Sequence, residues 1–68
     1  MMATQKQHLQ DLIDQVKDGS LRQTEQPSGD YVERAQDEFR AAGFNIAEAV
    51  PWDAIVARAF ELRADEEE

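Results

Sequence analysis

The chain has 68 residues, no cysteine, 41% hydrophobic residues and a formal net charge of −8. This length allows one small domain of marginal stability, and the lack of cysteine excludes a disulfide framework and a zinc–thiolate site. No apolar run approaches the roughly 20 residues that cross a bilayer, and no signal-peptide core follows Met1, so we expect a soluble cytoplasmic protein.

The first predicted element is an amphipathic helix over about residues 5–18. Thr4 is a plausible N-cap with Gln7 as its capping-box partner, and Gly19 stands where a C-terminal stop belongs. The apolar stripe has the i, i+3, i+4, i+7 spacing of one helix face and consists of Leu9, Leu12, Ile13 and Val16.

Residues 19–30, "GSLRQTEQPSGD", contain two glycines, a proline and one large apolar residue, Leu21. This composition predicts a linker. Because unstructured loops of this length are uncommon inside compact domains, we expect a hinge here and no firm packing of helix 1 on the rest of the chain.

A second helix is predicted over about residues 31–42. Asp30 can cap its beginning, with Glu33 at the reciprocal position, and Gly43 supplies a left-handed stop. Its apolar stripe is thin and consists of Val32, Ala35, Phe39 and Ala42.

A third helix is predicted over about residues 51–64, after a short turn capped by Asn45 and Glu48. Pro51 suits the first helical position, and the residue before it, Val50, should mark a break in direction. Apolar residues cover more than half of the circumference, which is wider than packing on one neighbouring helix needs. They are Trp52, Ile55, Val56, Ala59, Phe60 and Leu62. We therefore expect this surface to be too extensive for the chain to bury alone.

The acidic residues concentrate in the second part of the chain. Residues 1–23 balance to zero, whereas residues 24–68 carry the whole excess of negative charge. This distribution argues against direct nucleic-acid binding, which needs the opposite sign, and favours a basic partner. We expect the last residues, 65–68, to form a disordered acidic tail.

No enzyme, cofactor or metal site is indicated by the sequence. The three glycines are isolated and form no phosphate-binding loop. His8 lies one residue off the helix 1 stripe and is expected to be solvated. A solvated helix face also explains the carboxylate pairs Asp37–Glu38 and Asp11–Asp14 better than catalysis does.

Residues 24–59, "TEQPSGDYVERAQDEFRAAGFNIAEAVPWDAIVARA", resemble the small stability-determinant antitoxins of the PaaA-like group, which neutralise ParE-type toxins. The matched positions are Thr24, Glu25, Gln26, Tyr31, Val50, Pro51, Asp53 and Ile55. Trp52 stands where the family has His, Ala54 where it has Glu, and Arg34 where it usually has Trp. The family's Pro-Arg-Pro linker is replaced by "NIAEA".

The resemblance implies a helical protein, partly disordered when alone, that wraps a small basic toxin and blocks it. Helix-in-groove binding uses anchors at i, i+3, i+4 and i+8, which Trp52 and three later residues provide, although Trp52 is equally a candidate core anchor. The expected partner-binding residues are Tyr31, Phe39, Val50, Trp52, Asp53, Ile55, Val56, Phe60 and Glu61.

The sequence therefore predicts an all-α fold of two or three short helices in a single unit, and an antitoxin-like inhibitor of a small basic protein. Two alternatives stay open. One is an acidic nucleic-acid mimic or phage-type inhibitor of a nucleic-acid-binding protein, with Asp37, Glu38 and Glu48 imitating phosphates. The other is a homo-oligomeric helical adaptor.

Overall fold

Three α-helices form the fold in the computed structural model, which describes residues 5–22 and 25–67. They are α1 (Gln5–Lys17), α2 (Gly29–Ala41) and α3 (Trp52–Glu67), and the described residues include no strand. The all-α prediction is confirmed. α3 packs against both α1 and α2, whereas α1 and α2 barely touch each other.

The core forms where the apolar stripes of α1 and α2 meet α3 from two sides. Phe39, Leu9 and Ile13 are almost completely buried in it. The Cα radius of gyration is 11.3 Å, close to the value of about 11 Å expected for a folded domain of this length. The expectation that helix 1 does not pack firmly is therefore wrong, because α1 supplies part of this core.

α3 is apolar on most of its circumference because it has two helical neighbours rather than one. Its central residues are buried in succession, and they are Ala54, Ile55, Val56, Ala57 and, after Arg58, Ala59. The small alanines allow neighbouring backbones to approach, and the larger side chains fill the space between them. The chain thus buries most of the surface that we expected a partner to cover.

α2 ends in a Schellman motif at Gly43, whose φ of 95° is in the left-handed region. The N–H of Phe44 donates to the carbonyl of Phe39, and the N–H of Gly43 donates to that of Arg40. The rings of Phe39 and Phe44 then meet edge to face, with centroids 5.8 Å apart. The predicted stop at Gly43 is confirmed, and it also directs the chain back onto the core.

α1 ends in the same way at Gly19, where φ is 85°. The N–H of Ser20 donates to the carbonyl of Gln15, and Leu21, which follows, packs against the core. The first residues of the predicted linker are therefore held by α1. The predicted cap at Thr4 and the motif position Thr24 lie outside the described residues.

The predicted N-cap of α2 at Asp30 is wrong, because Asp30 is already the second residue of the helix. Ser28 is the N-cap residue, with an extended backbone (φ −62°, ψ 156°) and no capping hydrogen bond from its side chain. Its carbonyl accepts from the N–H groups of Tyr31 and Val32. Asp30 instead places its negative charge in the first turn, where the helix dipole favours it.

The turn before α3 has the predicted cap at Asn45. The side-chain oxygen of Asn45 accepts from the N–H of Ala47, and its amide donates to Glu48. Pro51 precedes the helix rather than opening it, and its carbonyl accepts from the N–H of Ala54. α3 therefore begins one residue later than predicted, at Trp52.

α3 continues to Glu67, so the prediction that the helix ends near residue 64 and that a disordered tail follows is wrong for residues 65–67. The physical reason is a contact distant in sequence. The Tyr31 hydroxyl and the Arg34 guanidinium, both on α2, donate to the Glu66 carboxylate. Glu68 lies outside the described residues.

Candidate protein-interaction surface

Trp52 is the large hydrophobic residue that the structure leaves exposed, with 49% of its surface accessible to solvent. It is the first residue of α3. The fully buried part of that helix begins two residues later, at Ala54. The indole therefore lies at the edge of the packed region, where a binding partner can reach it.

The other three predicted anchors do not form one exposed face with Trp52. Ile55 and Val56 are both only 2% exposed, so they cannot contact a partner while the fold is intact. Phe60 is half-buried, and the guanidinium of Arg63 lies over its ring, 5.1 Å from the centroid. The four-anchor arrangement expected for helix-in-groove binding is thus replaced by one exposed indole and one partly covered ring.

Three further predicted contact residues are buried in the core or hydrogen-bonded within the domain. Phe39 is fully buried, and Val50 is 8% exposed within the same core. Tyr31 is half-buried, and its hydroxyl donates to Glu66 over 2.7 Å. The Tyr31 ring is therefore only partly accessible to a partner.

The two predicted acidic contact residues differ in their surroundings. Glu61 accepts hydrogen bonds from the side chains of His8 and Arg58, so its carboxylate is already paired within the molecule. Asp53 is half-buried and makes no ion pair within the described residues. Asp53 therefore remains available to a basic group beside Trp52.

A polar network joins all three helices along one side of the core, and we call it the interhelix clasp: Gln5, His8, Glu38, Arg58 and Glu61. Arg58 donates to Glu38 over 2.6 Å and to Glu61 over 3.2 Å. His8 Nε2 lies 2.8 Å from Glu61 Oε1, and Gln5 donates to Glu38 over 2.7 Å. The expectations that His8 and Glu38 are merely solvated are therefore wrong.

Arg58 is the central cation of the clasp. Burial is the largest single influence on its pKa and opposes the charged form, but hydrogen bonds and charges from Glu38 and Glu61 together outweigh it and raise the pKa. The i, i+3 spacing of Arg58 and Glu61 could have indicated their pairing. No sequence signal shows that α2 brings Glu38 to the same place.

A second polar cluster, Tyr31–Arg34–Glu66, ties the end of α3 to the beginning of α2. The hydrogen bond from Tyr31, followed by that from Arg34, lowers the pKa of Glu66. The Glu66 hydrogen bond and charge raise the pKa of Arg34, whose guanidinium also lies over the Tyr31 ring, 5.6 Å from the centroid.

The arginines after residue 24 are all engaged within the chain. Arg34, Arg40 and Arg58 pair with carboxylates, and Arg63 lies over Phe60. Among the described residues, several acidic side chains after residue 24 have no such ion pair, and these are Glu25, Asp30, Glu33, Glu48, Asp53 and Asp65. These six carboxylates therefore have no ion-pair partner within the described residues.

Other kinds of site are poorly represented in the part of the chain that the structure describes. It contains no group of three side chains placed to hold a metal ion, and none of its helices has the length and apolar character needed to span a membrane. A groove of about 420 Å³ between α1 and α2 is lined by Gln5, Lys6, Glu38, Ala41 and Ala42. Glu38 in this groove already pairs with Arg58.

No protein-family model matches the chain, and no curated protein or solved structure is significantly similar to it. The resemblance to the antitoxins consequently rests on the matched positions in the sequence.

Proposed function

We propose that this chain is a binding protein without catalytic activity that inhibits a small basic protein, as its resemblance to the antitoxins of ParE-type toxins implies. The observation that carries the proposal is the exposed indole of Trp52 on a domain whose surplus charge is strongly negative. Tryptophan is enriched among the residues that dominate binding energy. Complementary charge accelerates association with a basic partner.

The proposed mode of binding differs from wrapping by an unfolded chain. The folded domain presents the exposed Trp52, followed by the half-buried Asp53, and the half-buried Phe60 lies two turns further along α3. Exposed acidic residues such as Glu48 and Asp65 add negative charge that attracts a basic partner. Ile55 and Val56 contribute only indirectly, by holding α3 in place within the core.

The direct experiment is co-expression with the product of the adjacent reading frame, followed by co-purification and measurement of the Kd. Trp52→Ala is expected to weaken binding by about 30-fold, which corresponds to the loss of a hot-spot residue. Lys17→Ala, an exposed change at the end of α1, is the control and is expected to leave the Kd unchanged. Far-UV circular dichroism verifies that both variants are folded.

Two results would contradict the proposal. One is that no basic protein binds to the folded chain. The other is strongly salt-dependent binding that survives Trp52→Ala, which would favour the nucleic-acid-mimic alternative. The interhelix clasp argues against that alternative, because Glu38, one of its three proposed phosphate mimics, is already paired with Arg58.

A further inference from the structure

We propose that the face of the Trp52 indole takes up an arginine guanidinium of the partner, with the carboxylate of Asp53, the next residue of α3, as the neighbouring negative charge. This inference rests on the proposed function in one respect, namely that the partner is a basic protein. It goes beyond that function by specifying which side chain of the partner Trp52 recognises.

The first observation is that every other aromatic ring of the chain already has a partner. Phe39 and Phe44 contact each other, Arg34 lies over Tyr31, and Arg63 lies over Phe60. With Trp52, these are all five aromatic residues of the sequence. Trp52 has no ring or cation contact within the described residues.

The second observation concerns the spacing of the two internal arginine–ring contacts. In both, the arginine follows the aromatic residue by three positions on the same helix, as Arg34 follows Tyr31 and Arg63 follows Phe60. The residue three positions after Trp52 is Ile55, which is buried in the core. The chain therefore lacks the cation that its own pattern would place over the indole.

The third observation is the local charge. Residues 41–57 contain no lysine or arginine but include Glu48 and Asp53, and Glu48 is exposed. A purely apolar partner would remove water from these carboxylates without replacing it, which is unfavourable. A cation beside the beginning of a helix is disfavoured by the helix dipole. The negative charge of Asp53, in the first turn of α3, offsets this effect.

Arginine suits this site better than lysine for two reasons. Tryptophan is the most effective aromatic ring for cation–π interaction. The guanidinium is planar and weakly hydrated, so it can stack on the indole and still donate hydrogen bonds to a carboxylate from its edge. An ammonium group has a compact charge that is strongly hydrated and cannot stack.

The experiment uses the full chain and two fluorescein-labelled peptides of equal charge, hexa-arginine and hexa-lysine. Fluorescence anisotropy at low salt gives a Kd for each peptide. We expect the wild-type chain to prefer the arginine peptide, and Trp52→Leu to reduce the ratio of the two Kd values by about threefold or more. Because Trp52 is the only tryptophan, its own fluorescence should also change on addition of the unlabelled arginine peptide.

Two further variants make the test specific. Trp52→Phe keeps a ring with a weaker electrostatic face and should give an intermediate ratio, which also covers the case in which Trp52→Leu is unfolded. Asp53→Asn should weaken the binding of both peptides, and it should change the ratio of the two Kd values less than Trp52→Leu does. A ratio that is the same in wild type and in the Trp52 variants would overturn the inference.

The outcome is separable from that of the proposed function. If the adjacent gene product binds through Trp52 but the arginine preference does not depend on Trp52, the proposed function stands and this inference fails. If the preference depends on Trp52 but no neighbouring basic protein binds, the recognition chemistry is supported and the proposed function fails.

Discussion

Arg58 Nε lies 2.6 Å from Glu38 Oε1, and this ion pair joins α3 to α2 where the two side chains are only 16% and 23% exposed. The same guanidinium also reaches Glu61, which is in contact with His8 on α1. One cation therefore connects all three helices. Because solvent screens this pair less than a fully exposed one, its removal should affect the stability of the whole domain.

Arg58→Ala is expected to lower the free energy of unfolding by about 1.5–3 kcal/mol, because it removes the cation that pairs with two partly enclosed carboxylates. Urea denaturation followed by far-UV circular dichroism measures the change. Arg40→Ala is the matched control, since Arg40 forms an exposed i, i+3 pair with Asp37, and pairs of that kind contribute about 0–1 kcal/mol. Equal losses in both variants would show that the clasp has no special role.

The sequence was sufficient to predict the three helices and the two glycine stops, whose signals are local. The stripes of α1 and α2 and the stops at Gly19 and Gly43 depend on residues within a few positions of each other, and these predictions are confirmed. Contacts between distant residues could not be predicted in this way. The predicted end of α3 was wrong because the Glu66 carboxylate accepts a hydrogen bond from Tyr31, 35 positions earlier.

The candidate site was predicted in part for the same reason. Helical spacing shows that the apolar residues Trp52, Ile55 and Val56 share one face of a helix, but it does not show how many helices surround them. With two neighbours rather than one, α3 buries Ile55 and Val56 and leaves Trp52 half-exposed at its first position. The burial of a side chain depends on how the helices pack together, and the spacing of residues within one helix does not reveal this packing.

Gly43→Ala should destabilise the fold by about 1–2 kcal/mol, because an L-residue is strained at a φ of 95°. An added Cβ would meet no atom within 4 Å, so the cost is one of backbone conformation and not of collision. Thermal unfolding of the variant measures it.

Gly29→Ala is the matched control for that substitution. Gly29 is in the first turn of α2, has no positive φ, and likewise has open space around its Cβ position. Alanine there should be neutral or should stabilise the fold by about 0.4–1 kcal/mol, chiefly by restricting the unfolded chain. Similar losses at both glycines would contradict the left-handed stop at Gly43.

Ile55→Val separates stability from partner binding. Removing one methylene from a side chain that is 2% exposed should lower the free energy of unfolding by about 0.5–1.5 kcal/mol. The Kd for a partner should not change, because this side chain lies inside the core. Ile46→Val is the control, and a smaller loss in the free energy of unfolding is expected because Ile46 is half-buried. A weaker partner affinity with unchanged stability in Ile55→Val would show that α3 leaves the core on binding.

The Tyr31–Arg34–Glu66 cluster predicts a contribution to stability that depends on pH. The Tyr31 hydrogen bond, followed by that of Arg34, lowers the pKa of Glu66 from its usual 4.5, so near that pH the unfolded chain binds more protons than the folded one. The contribution is therefore present above pH 4.5 and is lost as the pH falls through the lowered pKa of the folded state. A carboxyl-detected NMR titration should place the Glu66 midpoint below 4.5 in the wild type and closer to it in Tyr31→Phe, which removes the hydroxyl but keeps the ring. If the midpoint is the same in both proteins, the hydroxyl does not hold the last turn of α3, and another contact must explain why the helix continues to Glu67.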